Sequence, residues 1–400
     1  MNKKSNLKLK RSQVFLIGML IVLSTLNVSA NEINIIGWGA ILIILLLAIL
    51  FTMLHISKKK SYPNLLSKVL ITLILFNITY LVGIVNEGFI FRGIIVYFQL
   101  TLLMIFFVLM ALVKWDYREI RIISKFVELF LIMNLIVLFF TRLSFPFKSF
   151  YGNSNVFSAL VFFLSYFSML YYLINDDSKK KRYSLLIVGI GLLLVIFGAS
   201  KAIWISILVC LFVFWKWKFI SKNRKRYNLF FTAIIIGIIG VIIILPMLAQ
   251  HPNASMWNNY VREYTGGNLF SGRERIWGQL LLAIMERPII GYGASATPND
   301  LINISLSSHN LYIQTAIQVG VVGVCVLFIL LSSIWNLMYR GKESIYTKLS
   351  ASYFIGIIVY QSAEVSLTQN NLAVGIIMWL IIGIGISKSI EIAGAKLKHD

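Results

Sequence analysis

The chain has 400 residues, of which 58% are hydrophobic and only 13% charged. A soluble domain of that length cannot cover so much apolar surface with so few polar side chains, so a water-soluble globular fold is excluded. The net charge of +22 would suit a nucleic-acid binder, but the basic residues punctuate the apolar runs rather than forming one face, which excludes that class too.

Apolar runs able to cross about 30 Å of hydrocarbon fall near 14–30, 33–57, 64–85, 89–113, 122–140, 155–175, 183–199, 202–219, 228–250, 311–338, 345–364 and 372–388. They predict an all-α, polytopic integral membrane protein with about 12 transmembrane helices. The strict polar–apolar alternation of a membrane barrel is absent. The first run resembles a secretory signal, with basic residues before it and Val28-Ser29-Ala30 at its end. It is expected to remain as an anchor; cleavage after Ala30 would leave the other spans unchanged.

Lys and Arg cluster in every second connection: Lys3 to Arg11, Lys58 to Lys60, Lys114 to Arg121, Lys179 to Arg182, Lys216 to Arg226, Arg340 to Lys348 and Lys388 to Lys398. The positive-inside rule makes these connections cytoplasmic and places both termini inside. Charge therefore reports topology in the cytoplasmic membrane and contact with anionic lipid headgroups, not nucleic acid. Cys210 and Cys325 lie within apolar runs and suggest no disulfide framework.

Residues 1–400 read as one membrane domain. Its external connections are short except at 141–153 and at the long loop between the ninth and tenth spans. A connector of that length is usually functional, so 251–310 is expected to be an external catalytic loop. Ser271 and Glu274 form a capping-box pattern. Ile276, Leu280 and Ile284, widened by Trp277 and Leu281, give an amphipathic stripe that Pro288 ends. That helix is expected on the outer membrane surface with Arg273 and Arg275 in its first turn.

Guanidinium groups fork onto phosphate oxygens, so Arg273 and Arg275 suit a diphosphate, although anionic headgroups or Glu263 and Glu274 would also satisfy them. Gly291-Tyr292-Gly293 reads as a turn. Ser307-Ser308 look like N-caps, which would place His309 in the first turn of the tenth span, where the helix dipole favours a neutral base. Asn310, Gln314 and Gln318, spaced by four, make a polar stripe that should face a cavity in the bundle or bond to another helix. Lys201, in Gly198-Ala199-Ser200-Lys201, is a lone external cation and a candidate anion ligand. Arg92 is a similar case, and snorkelling to the interface would explain either. Asn155, opening the sixth span, and Glu364 are further candidates to line the same cavity, and Gln369 and Asn370 lie with Glu364 at the outer end of the last two spans. His55, His251 and His399 match nothing. No metal site is expected: the acidic pair Asp176-Asp177 falls on the cytoplasmic side, and no His/Cys cluster has ligand spacing. No phosphate-binding glycine loop is present.

The pattern Ser271-Gly272-Arg273, Trp277, Pro288 to Gly293 and His309-Asn310 resembles that of the bacterial O-antigen ligase/polymerase family, which includes capsular and exopolysaccharide repeat-unit polymerases. The match is tight over 271–323, ending in Gly320 and Gly323. Upstream, Ser200-Lys201 resembles the family's Ser-Arg between two spans, with Lys where Arg is more usual, and Asn153-Ser154-Asn155 resembles its Asn-rich stretch before an earlier span. The resemblance implies a metal-independent glycosyltransferase, without cofactor, acting on a polyprenyl-diphosphate-linked glycan (undecaprenyl diphosphate as carrier) at the outer face. Arg273 and Lys201, with Arg275, would neutralise the departing diphosphate. His309 would take the proton of the acceptor hydroxyl. A chain-length regulator and a flippase of the same pathway are the implied protein partners. An O-antigen ligase or a protein O-oligosaccharyltransferase would share this donor chemistry. A lipid-linked glycan flippase or transporter is the reading from a different class, and it would place charges inside the spans.

The orientation has a direct test. A cysteine placed at Asn268 is expected to react with a membrane-impermeant thiol reagent on intact cells; labelling only after permeabilisation reverses the topology.

Overall fold

A computed structural model describes residues 7–57, 64–265 and 268–396. The basic stretches at Lys3–Lys4 and Lys58–Lys60, together with Lys398, His399 and the side chain of His55, lie outside the described residues. Each apolar run folds as a helix: α1 (Arg11–Ser24, continued by a 3-10 turn to Val28), α2 (Asn34–Ser57), α3 (Ser67–Asn86), α4 (Phe91–Leu112), α5 (Tyr117–Phe140), α6 (Ser154–Ile174), α7 (Ser178–Gly198), α8 (Lys201–Trp215), a short α9 (Trp217–Ile220) and α10 (Arg224–Ala249). The long loop holds α11 (Ala254–Thr265), α12 (Arg273–Glu286) and the single turn α13 (Pro298–Ile302); α14 (Leu311–Met338), α15 (Ile345–Tyr360) and α16 (Leu372–Lys396) complete the chain.

Among the described residues ten helices are long and apolar enough to cross a membrane, and two of the expected runs are occupied by shorter apolar helices, α8 and α15. At about 1.5 Å per residue these two reach only about 22–24 Å. They pack against each other, and the site-facing end of each matters: Lys201 opens α8, and α15 stops just before Glu364.

The centre of the bundle is α16, flanked by α4, α6, α14 and α15. Its membrane-crossing window is 94% buried, against 33% for α2 and 22% for α10. Peripheral helices instead turn large apolar side chains outward, among them Leu42, Ile74, Phe98, Leu208 and Ile236, as lipid contact requires. The first helix is integrated into this bundle: α1 packs on α2 and α5 with Val14, Leu20 and Ile21 buried. At one end of the bundle Lys114, Asp116, Lys388 and Glu391 form an ion-pair network. The residues considered below gather at the other end.

The tenth run departs most from expectation. Helix α14 is not continuous, because Val319 (φ −130°, ψ 17°) and Gly320 (φ 70°, ψ −174°) leave the helical region. The Pro288–Gly293 segment fills the break. Tyr292 N donates to Ile317 O (2.8 Å) and Gly293 N to Gln318 O (3.0 Å), while Val321 N donates to Pro288 O (2.8 Å). Inside a membrane a broken helix survives only if its freed backbone groups find partners in protein or water. Here the segment read as a surface turn supplies them. A Cβ on Gly320 would sit 2.0 Å from Ile289 O, and one on Gly291 would sit 2.7 Å from Ile317 O.

Gly320→Ala combines a left-handed backbone with that collision. It is expected to destabilise the purified protein by about 1–3 kcal/mol, read as a lowered thermal midpoint in detergent. An unchanged midpoint would show that the break is not constrained by this contact.

Candidate active site

The approach to Arg273 is tethered at successive residues. Lys201 Nζ donates to Asn268 O (2.9 Å). Asn258 Oδ1, on α11, accepts from Leu269 N (2.8 Å) and Phe270 N (3.3 Å). Glu274 then reaches back, its carboxylate accepting from Ser271 N, Ser271 Oγ and Gly272 N at 2.9–3.1 Å. The helix starts one residue later than the capping-box pattern suggests: Gly272, at φ 90°, is the N-cap. Glu274 still satisfies the free backbone donors, and it is buried.

Arg273 is therefore the first helical residue of α12. Its Nη1 donates to Ala363 O (2.7 Å) and its Nη2 pairs with Glu364 Oε1 (3.3 Å). Glu364 is shared. Its other oxygen, Oε2, lies 3.2 Å from His309 Nδ1. Arg273, Glu364 and His309 thus form one chain of contacts, with side chains 26%, 11% and 26% exposed. Sequence reasoning placed Glu364 only as a cavity-lining candidate; the fold makes it the bridge between the two other groups.

His309 does not lie in the first turn of α14. The N-cap is Asn310, whose Oδ1 accepts from Tyr312 N and Ile313 N, and His309 precedes it with φ 46°. The ring's immediate partner is consequently a carboxylate rather than the helix end. When Nδ1 carries the proton donated to Glu364, Nε2 presents a lone pair to a substrate. The backbone around it is pinned: Trp277 Nε1 donates to Ser308 O (2.8 Å), and His309 N donates to Ser307 Oγ (3.2 Å). Trp277 thereby ties the helix that begins with Arg273 to the loop that carries His309.

The remaining candidates separate. Arg275 is exposed and makes no hydrogen bond or ion pair with a described residue. Two residues along a helix turn the side chain by about 200°, so it cannot join Arg273. Arg92 pairs with Asp300 instead of standing free. Burial alone would raise the Asp300 carboxyl, but the Thr297 hydroxyl and amide and the Arg92 guanidinium outweigh it and hold it below the usual carboxylate range. A depressed carboxyl keeps its charge at neutral pH, so this clamp is lost only as pH falls through the lowered value. Asn155 lies in the first turn of α6 and Asn310 is fully buried, its amide spent on capping and on Ser362 O; neither borders the cavity.

That cavity, of about 430 Å³, lies on the α4 side of the His309 loop and is bordered by α4, the segment 295–307, α14 and the α15–α16 loop. Gln314 and Gln318 face it, as do Gln369 and Asn370. Gln314 Nε2 and Gln318 Nε2 also donate to Ala296 O and Ala294 O (both 2.9 Å), so the polar stripe of α14 holds the segment that follows the plug. Two residues escaped the sequence reading. Glu87, at the end of α3, accepts from Ser295 N (2.8 Å) and packs against Gly93 and Gly293. Gln99, within α4, also lines the cavity. Each carries a signal that could have found it, a lone polar group in or beside an apolar run.

Residues 185–328 match the family model described as O-antigen ligase. The matched segment includes Lys201, Arg273 and His309, whereas Glu364 lies beyond it. No curated protein matches the chain.

This geometry ranks the basic residues. Arg275→Ala is expected to leave activity within about twofold, while Arg273→Ala abolishes it. Glu364→Gln, which keeps shape and removes charge, is expected to lower the rate by about a hundredfold, measured as transfer of lipid-linked glycan in isolated membranes. Equal loss at Arg275 and Arg273 would contradict this arrangement.

Proposed function

On the premise that this chain carries an O-antigen ligase/polymerase-like domain over residues 185–328, we propose that it is a membrane glycosyltransferase that polymerises polyprenyl-diphosphate-linked oligosaccharide repeat units. In this reading the chain is inserted in the cytoplasmic membrane with both termini inside, and the Arg273 end of the bundle faces outward. The observation that carries it is the Arg273–Glu364–His309 constellation. It puts an anion-binding guanidinium and a proton acceptor on one carboxylate, at the end of the bundle where a lipid-borne diphosphate arrives.

The donor is the growing glycan on its carrier, and the acceptor is a hydroxyl of the next lipid-linked unit. His309 Nε2 takes the hydroxyl proton as the oxygen attacks the anomeric carbon. The bond from that carbon to the phosphate oxygen breaks, with inversion. The carrier diphosphate leaves with the bonding electrons, and its charge is met by Arg273, which still has unused N–H donors. Lys201 assists as a point charge from the Asn268 side. Developing charge is stabilised by groups already in place, which is where such sites gain most of their rate.

The test is the size distribution of lipid-linked glycan in cells lacking the protein, complemented with wild type, Arg273→Ala or His309→Ala. Wild type is expected to restore long chains, while both variants insert normally and leave single units outside. Long chains that stay on the carrier and are not passed to a final acceptor would indicate a ligase, and single units trapped inside would indicate a flippase. Normal extension by His309→Ala would remove it as the base.

A further inference from the structure

The cavity beside the His309 loop has a chemistry distinct from that of the Arg273 site. Its polar lining is made largely of side-chain amides and hydroxyls. The one cation, Arg92, is already engaged by Asp300. A phosphate would find no free positive charge there, and an acyl chain would strand the amides. What the lining can satisfy is a neutral, hydroxyl-rich ligand, because an amide can both donate and accept and Gln99, unlike Gln314 and Gln318, has both left over. The volume of about 430 Å³ is within the range of small-ligand pockets, about 300–1,000 Å³.

Gln99 is the decisive residue. It sits about two turns into an otherwise apolar span, lines the cavity and makes no hydrogen bond with a described residue. Its half-buried amide faces the cavity rather than another helix, and polar residues within spans that face a cavity mark ligand paths. A wall residue of the cavity also touches the loop that carries His309. Ser307 lies on its wall, and Ser307 Oγ accepts from both His309 N (3.2 Å) and Asn370 Nδ2 (3.3 Å).

We propose that this cavity is the saccharide subsite for the acceptor, with Gln99, Asn370 and Ser305 bonding the sugar unit whose hydroxyl is presented to His309. The assignment rests on the glycosyl-transfer reading above and adds where the acceptor binds. It places the sugar between α4 and α14, while the diphosphate is held apart from it by Arg273.

The test uses full-length protein in nanodiscs and, as probe, the producing strain's repeat-unit oligosaccharide freed of its lipid and diphosphate by mild acid. Gln99→Leu removes an unpaired amide from an apolar helix, so it should fold at least as well as wild type. It is expected to weaken oligosaccharide binding by about five- to tenfold and to raise KM for the acceptor by the same factor with kcat little changed. Arg273→Ala and His309→Ala should bind the oligosaccharide within about twofold of wild type. No saturable binding to wild type, or unchanged binding and KM in Gln99→Leu, overturns the subsite. If Arg273→Ala and His309→Ala remain inactive in that case, glycosyl transfer stands without it. If they extend chains normally, the transfer reading itself fails.

Discussion

The structure of this site depends on a helix that is broken where a membrane helix can least afford it. At Val319 and Gly320 the backbone of α14 abandons its own hydrogen bonds, and the Pro288–Gly293 segment replaces them. A break inside a membrane-spanning helix needs its freed groups paired by protein or by a water-lined cavity, and here protein backbone takes that role. It fixes the C-terminal side of α12 against the middle of α14. A second pin, from Trp277 Nε1 to Ser308 O, fixes the start of α12 against the start of α14. Two elements pinned at two separated points resist sliding and rotation, and Arg273 and His309 sit beside the second pin.

Glu364 completes that frame from a third element. A lone arginine and a lone histidine at a membrane surface would each keep considerable side-chain freedom, which must be lost again when substrate binds. Sharing one mostly buried carboxylate removes it in advance. Ion pairing of this kind contributes little as a source of stability. Its value here is positional, because the guanidinium retains spare donors and the imidazole retains Nε2. The carboxylate sits on a loop tied by its own hydrogen bonds: Gln361 Oε1 accepts from Ser366 N and Leu367 N, and Trp379 Nε1 donates to Leu367 O.

Much of this was legible in the residues. Hydrophobic runs gave the spans because lipid selects for length and composition alone, and the Arg273, Trp277 and His309 positions stood out as polar groups in an apolar chain. The break in α14 was not legible, because glycine is common in membrane helices and Val319-Gly320-Val321 reads as an ordinary apolar stretch. Its cause lies some thirty residues upstream, in a segment that looks like a turn. Glu364 could be noticed but not assigned a partner, since its contacts are tertiary. Arg275 was grouped with Arg273 through proximity in sequence, although helical periodicity already separates them. Helix α11 escaped notice although its apolar residues recur at helical spacing; Met256, Tyr260 and Tyr264 form its exposed stripe.

The same frame bears on the difference between polymerising and ligating. Both reactions need the donor diphosphate neutralised and the acceptor proton removed, and the Arg273–Glu364–His309 chain is indifferent to what carries the hydroxyl. Any discrimination must therefore come from surfaces that meet the acceptor. The described residues offer one such surface beside the base, the amide-lined space between α4 and α14, whose walls are set by the segment that plugs α14. On the proposed reading, helix break, base and acceptor wall are one mechanical unit. On that reading, a change in the length or sequence of 294–307 would reshape acceptor choice while leaving the proposed diphosphate contacts of Arg273 in place. Proteins that share the 185–328 domain and differ in acceptor would then be expected to differ in this segment rather than around Arg273.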